Sequence, residues 1–164
     1  MGYTTASWVG FGEALAAVAG ALTGLLFVAL SVKSEVLAAS RSLSSRAAQT
    51  LVLFMTSVLI AVLLVAPQPA AALGAGLLAV ALASGTGLLI LDRRAGHRSD
   101  QDVARYIERF SPNTITAVLV GVAGLTFLVK AGGGLYWLIP AAVASLVGGV
   151  VNVWLFLVRV TSES

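Results

Sequence analysis

The residues that could do chemistry in this chain are few and lie far apart. Glu13 and Asn152 interrupt long apolar segments, and Lys130 ends another. A polar group in apolar surroundings needs a hydrogen-bond partner, an opposite charge or access to water. These three side chains are therefore the candidate polar site of the sequence.

Metal and catalytic chemistry have little support in the sequence. His97 is the only histidine, and Asp92, Asp100 and Asp102 near it show no ligand spacing that favours a metal site. The chain has no cysteine, which excludes disulfides and thiol catalysis. We found no Ser-His-Asp set, HExxH motif or phosphate-binding loop. The sequence therefore predicts no catalytic residues, no metal site and no cofactor, and we expect a protein that is not an enzyme.

The composition indicates what surrounds these residues. Of 164 residues, 59% are apolar and 10% are charged, whereas a soluble domain is roughly 45–50% apolar and about 25% charged. So short a soluble chain could not bury that much apolar surface. We expect an integral membrane protein with the lipid bilayer as its partner, which excludes a cytosolic enzyme, a secreted disulfide module and a nucleic-acid-binding protein.

Five segments are long and apolar enough to span a bilayer, which takes about 20 residues. Turns separate the second segment from the third and the fourth from the fifth. They are formed by Ala66-Pro67-Gln68-Pro69 and by the glycines at 132–134. The predicted fold class is all-α, a polytopic helix bundle forming a single membrane domain over residues 1–164. The predicted spans cover about residues 8–32, 47–65, 70–91, 114–129 and 136–160.

The basic residues predict the orientation of the bundle. Nine of the ten lysines and arginines fall in or next to the connections 33–46 and 92–113 or at the C-terminal end, and only Lys130 falls on the other side. Positive residues concentrate on the cytoplasmic side of membrane proteins. We therefore expect an external N-terminus, a cytoplasmic C-terminus and two cytoplasmic connections in a plasma membrane.

The second connection contains a further helical pattern over residues 99–110. Ser99 can cap a helix, and Val103, Ile107 and Phe110 share one apolar face with Tyr106. Charged residues occupy the opposite face. We interpret this segment as a short amphipathic cytoplasmic helix lying against the membrane or under the bundle.

Glu13 has two interpretations. It is an outward-facing proton or cation site, or it is a structural carboxyl near the interface that is protonated or paired. Lys130 ends the fourth span at a comparable depth, so it is either the ion-pair partner of Glu13 or a lone lysine reaching the interface. Asn152 falls in the opposite leaflet, where such residues usually form hydrogen bonds between helices.

Two stripes of small residues predict close helix packing. One follows the first span and the other the fifth, and such stripes let helix backbones approach each other. The pattern leaves open whether the partner helix belongs to the same chain. The predicted packing seams are Gly12, Ala16, Gly20 and Gly24, and Ala141, Ser145 and Gly149.

The first 70 residues carry a resemblance to a known group. The run from Gly20 to Ser31, the run that begins at Arg46-Ala-Ala-Gln and the turn Pro67-Gln68-Pro69 resemble small membrane proteins of high-GC actinobacteria. Some members of that group carry the name "modulator of FtsH protease". The resemblance implies a bacterial plasma-membrane protein and brings no functional residues with it.

Two function classes fit these features. The first is a non-catalytic membrane module that packs against or regulates another membrane protein. The alternative is a small homo-oligomeric channel or transporter for protons or cations that uses Glu13. The partner is accordingly either a second copy or another membrane protein.

Overall fold

The described part of the chain folds as an all-α bundle of five long helices. This computed structural model describes residues 2–32, 41–95 and 112–162. Two short 3₁₀ helices, Thr5–Trp8 and Gly134–Trp137, precede the first and last helices. The long helices are α1 (Val9–Val32), α2 (Arg41–Val65), α3 (Ala70–Ala95), α4 (Pro112–Val129) and α5 (Leu138–Ser162).

All five helices are long and apolar enough to cross a membrane, which confirms the predicted multi-pass helix bundle. The apolar segments cover residues 5–32, 47–65, 70–87, 112–129 and 134–154, close to the predicted spans. Helical structure extends beyond three of them, in α2, α3 and α5. Residues 41–46 and 92–95, expected in the connections, belong to α2 and α3, because a helix does not have to end where the apolar segment ends. The predicted amphipathic helix over 99–110 lies outside the described residues.

Helices α2 to α5 form a ring in which each packs against its neighbours along the chain and α5 closes back onto α2. The short connection between α2 and α3 and the turn between α4 and α5 favour antiparallel packing of these neighbours. Helix α1 lies outside the ring, packs mainly against α2 and contacts α5 only slightly. The buried core lies inside the ring and under α1, and its largest fully buried side chains include Phe54, Ile60, Leu73, Leu77 and Leu138.

The turn between α2 and α3 is built as its sequence predicts. The Gln68 side-chain amide donates to the carbonyl of Leu63, which satisfies a carbonyl near the end of α2. The carbonyl of Pro69 then accepts from the amide of Leu73 in the first turn of α3. Pro67 and Pro69 thus separate two helices rather than kinking one.

Candidate functional site

Glu13 and Lys130 lie near the same end of the bundle, and both side chains are exposed. A Cβ at the neighbouring Gly12 would lie 3.0 Å from atoms of Leu64 and Val65, the last residues of α2. Lys130 follows the last residue of α4 and has a left-handed backbone with φ of 56°. Glu13 and Lys130 form no ion pair in the described structure. The ion pair that the sequence offered as one interpretation is therefore not made, and the depth of the two residues in a membrane stays a prediction.

Asn152 lies far from both. It is half-buried on α5, fourteen residues after the helix begins at Leu138, which is about 20 Å along the axis. The structure therefore does not bring the three candidate polar residues together into one compact site. The described residues also contain no group of three metal-ligating side chains.

The seam on α5 is filled by its own chain. Ala141, Ser145 and Gly149 are all buried. A Cβ at Gly149 would collide with the ring of Phe54 on α2, so the glycine is what allows this aromatic ring to lie against the α5 backbone.

A buried polar contact joins the same two helices beside that glycine. The Ser145 hydroxyl donates to the carbonyl of Leu53 at 2.9 Å, and the Ser57 and Ser145 hydroxyl oxygens are 2.8 Å apart. Because the Ser145 proton is used on Leu53, Ser57 is the donor to Ser145. Both serines are fully buried, so this seam combines close packing with an interhelical hydrogen bond.

The seam on α1 is filled at one end only. Gly12 is buried against α2 and Ala16 is half-buried, but Gly20 and Gly24 are exposed. A Cβ at Gly20 or Gly24 would meet no atom within 4 Å. The reason is geometric: residues spaced by four drift about 40° around a helix per step. The stripe therefore turns away from α2, while the buried face follows Gly12, Leu15, Ala19, Thr23 and Leu26.

The end of the bundle at which α1 begins carries a cap that sequence reasoning missed. The carbonyl of Gly2 accepts from the amide of Leu135 at 3.0 Å, and the Tyr3 hydroxyl accepts from the amide of Gly133 at 3.1 Å. These bonds tie the segment before α1 to the turn between α4 and α5. The turn has positive φ at Gly132, Gly133 and Gly134, which is why glycines occupy it.

Aromatic rings complete this cap. Trp8 packs edge-on against Tyr136, with ring centroids 5.3 Å apart. The Trp137 indole N–H donates to the carbonyl of Gly132 at 2.8 Å. Three of these rings, Tyr3, Tyr136 and Trp137, are partly exposed. Tyrosine and tryptophan at the end of apolar helices are typical of a membrane interface.

One buried polar atom near the other end lacks a partner. Asn113, the second residue of α4, is 4% exposed, and its Oδ1 accepts no hydrogen bond. Sequence reasoning missed this residue, because it precedes the apolar part of the span and has no distinguishing pattern around it.

Comparison with protein-family models, with curated proteins and with solved structures finds no match to this chain. The resemblance to actinobacterial membrane proteins therefore stays a prediction. The fold of the described residues defines the class of protein, a helix bundle with five helices long and apolar enough to cross a membrane.

Proposed function

We propose that this protein is a non-catalytic membrane module that packs against another membrane protein or regulates it. The observation that supports this best is how the buried hydroxyl groups of the ring are used. Ser57 and Ser145 bond each other and a backbone carbonyl. Thr56, Ser84 and Thr116 donate to carbonyls of their own helices.

Hydroxyl groups used in this way are not available to line a polar path through the bundle. A transporter needs polar groups at its substrate site, usually from discontinuous helices. Glu13, the carboxyl expected to serve transport, is exposed on α1 outside the ring. Transport through Glu13 would therefore need a path outside the single bundle, which makes it the weaker candidate.

A flux assay tests the absence of transport. Purified protein in liposomes should show no proton or monovalent cation flux above that of the Glu13→Gln variant. The matched control is empty liposomes of the same lipid composition. A flux that the wild-type protein supports and Glu13→Gln abolishes would contradict the proposal and establish the channel alternative.

Photo-crosslinking tests the presence of a partner. A photoreactive residue replaces exposed Leu82, Val118 or Val147, one on each of α3, α4 and α5. In native membranes, we expect adducts heavier than twice the 16.7 kDa chain, concentrated on one helix. Adducts no heavier than two copies at every position would contradict the proposed module.

The proposal includes a bacterial plasma membrane with the N-terminus outside, on the strength of the nine-to-one distribution of basic residues. Because the chain has no cysteine, single cysteines report topology without background. Thr4→Cys and Ala131→Cys should react with an impermeant maleimide in intact cells, and Ser44→Cys only after permeabilisation. The reverse labelling pattern would mean that the N-terminus lies inside and would contradict the proposed orientation.

A further inference from the structure

Asn113 is the described residue whose buried side chain the fold does not satisfy. The side chain is 4% exposed, and its Oδ1 accepts no hydrogen bond. A buried carbonyl oxygen without a donor costs free energy, because folding removes the water that it bonds in the unfolded chain. The packed arrangement is therefore unfavourable at this atom, and a state in which water reaches Oδ1 gains stability relative to it.

Asn113 lies on the face of α4 that the other helices cover. The buried residues of this face follow a spacing of three and four, which keeps them on one side of a helix. They are Asn113, Thr116, Val120, Ala123, Gly124 and Phe127. Asn113 is also the second residue of the apolar segment 112–129, within about 3 Å of its end along the axis. Water that enters the ring at this end therefore meets Asn113 first.

The neighbouring polar residue on this face does not supply the missing donor. Thr116 follows Asn113 by three residues, which places both on the same side of α4, and it is 1% exposed. Its hydroxyl donates to the carbonyl of Pro112 at 2.7 Å, so its single proton is used. A water molecule from the end of the bundle is the donor that fits Oδ1.

The contact between α4 and α5 beside Asn113 is a weak one. A Cβ at Gly148 on α5 would collide with the ring of Pro112, so the proline packs directly against the α5 backbone. Proline has no N–H and glycine has no side chain, so this contact consists of van der Waals attraction, which is small for each pair of atoms. The buried hydrogen bonds between α5 and α2 lie at Ser145, about one turn nearer the beginning of α5. Separation of Pro112 from Gly148 leaves them intact.

We infer that the ring opens at the end where α4 begins, by separation of Pro112 from Gly148, and that water then binds Oδ1 of Asn113. The described structure is the closed state, in which Pro112 and Gly148 are in contact. The open state exchanges that contact for hydration of the amide. The inference goes beyond the proposed function, because it concerns a movement within one chain and holds whether or not another protein binds the bundle.

Cysteine labelling measures the opening. The chain has no cysteine, so Thr116→Cys places a single thiol one turn beyond Asn113 on the same face. Water-soluble methanethiosulfonate reacts with the thiolate, which burial in apolar surroundings suppresses, so the labelling rate reports hydration. In lipid nanodiscs, where both ends of the bundle meet the solution, Thr116→Cys should be labelled several-fold faster than Ala123→Cys. Ala123 is fully buried on the same face and is the matched control. Equal rates at the two positions would overturn the opening.

Substitution of Asn113 tests the cause of the opening. Asn113→Leu keeps a similar side-chain shape and removes the unsatisfied oxygen. It should stabilise the closed state and slow the labelling of Thr116→Cys about tenfold. Ile115→Leu, on the exposed side of α4, is the matched control and should leave the rate unchanged. The same rate with Asn113→Leu as with Ile115→Leu would overturn the role of the amide.

A larger residue at the helix contact tests where the ring opens. Gly148→Ala adds a methyl group that collides with Pro112 and should speed the labelling of Thr116→Cys several-fold. Gly121→Ala on α4 is the control, because its added Cβ would lie at an ordinary 3.5 Å from Ala81. Equal labelling rates in these two variants would overturn the opening at Pro112 and Gly148.

Equilibrium unfolding distinguishes an unsatisfied amide from one that has a partner. With no donor to Oδ1 in the closed state, Asn113→Leu should raise the folding equilibrium constant about tenfold, because the cost of the buried oxygen disappears. A lower constant than that of the wild type would show that the amide is bonded in the closed state and would overturn the inference. Failure of these tests is distinct from failure of the proposed function, which the flux and photo-crosslinking experiments decide.

Discussion

The seams of α1 and α5 look alike in sequence and differ in the fold. Gly149 on α5 touches the Phe54 ring, while Gly24 on α1 touches nothing. Helix α5 has two full neighbours, α2 and α4, whereas α1 has one. Two neighbours cover a wide arc of a helix, so a stripe that drifts by 40° per step stays covered. The number of neighbours therefore decides whether a small-residue stripe is internal packing or a free surface.

The largest expected effect compares two phenylalanines. Phe54 is 1% exposed and fills the groove at Gly149, while Phe27 on α1 is 54% exposed. Phe54→Ala should lower the free energy of unfolding by about 3–5 kcal/mol, the range for emptying a buried aromatic site. Phe27→Ala should change it by less than about 0.5 kcal/mol. Reversible unfolding in mixed micelles measures both, and similar losses would mean that α1 is buried as deeply as α2.

The cap connects the segment before α1 to the ring, and substitution of Gly134 tests this connection. Its φ is +58°, and a Cβ would lie 2.5 Å from the carbonyl oxygen of Gly2. Gly134→Ala should cost about 1–3 kcal/mol through backbone strain and overpacking. It should also speed amide exchange at Leu135, which bonds Gly2. Gly10→Ala, in open space on α1, is the control, and equal exchange at Leu135 in both variants would contradict the cap.

The serine pair should show energetic coupling that α1 lacks. Ser145→Ala leaves the buried Ser57 hydroxyl without its acceptor and should cost about 1 kcal/mol. A double-mutant cycle of Ser57→Ala and Ser145→Ala should give a coupling of about 0.6–1.7 kcal/mol. On α1, the Thr23 hydroxyl bonds the carbonyl of Ala19 in its own helix, so Thr23→Val should cost less than about 0.5 kcal/mol. A coupling of zero would remove the serine pair as a link between α2 and α5.

The smallest effect concerns Glu13 and Lys130. Because Glu13 and Lys130 form no ion pair, Glu13→Leu and Lys130→Leu should change the free energy of unfolding independently. Their effects should be additive to within about 0.3–0.5 kcal/mol. Thermal unfolding in mixed micelles provides the measurement. If the double variant were more than about 1 kcal/mol more stable than the sum of the two single losses predicts, the two side chains would be paired.

The spans could be predicted because hydropathy is a local property of the sequence. The ends of the helices could not be predicted in the same way. Residues 41–46 are polar and still helical, because hydropathy indicates which residues suit a membrane and not which residues are helical. The sequence also did not predict that Gly20 is free of contacts while Gly149 packs against another helix. Lipid and protein interior both accept apolar residues, so the sequence does not reveal which face of a membrane helix is covered.

The polar site was predicted only in part. The positions of Glu13 and Lys130 in their spans indicate the same end of the bundle, but whether the two side chains touch depends on how α1 and α4 are arranged around the ring. The cap had no local signal at all, because its hydrogen bonds join Gly2 and Tyr3 to Leu135 and Gly133, residues some 130 positions apart.

The small-residue seam on α5 is closed by its own chain, whereas the seam on α1 is open at Gly20 and Gly24. The same substitution in each seam tests this difference most directly. Gly149→Ala should lower the free energy of unfolding by about 1–3 kcal/mol, because the added methyl group meets the Phe54 ring. Gly24→Ala should change it by no more than about 0.5 kcal/mol in either direction. Equal losses at the two glycines would contradict the account.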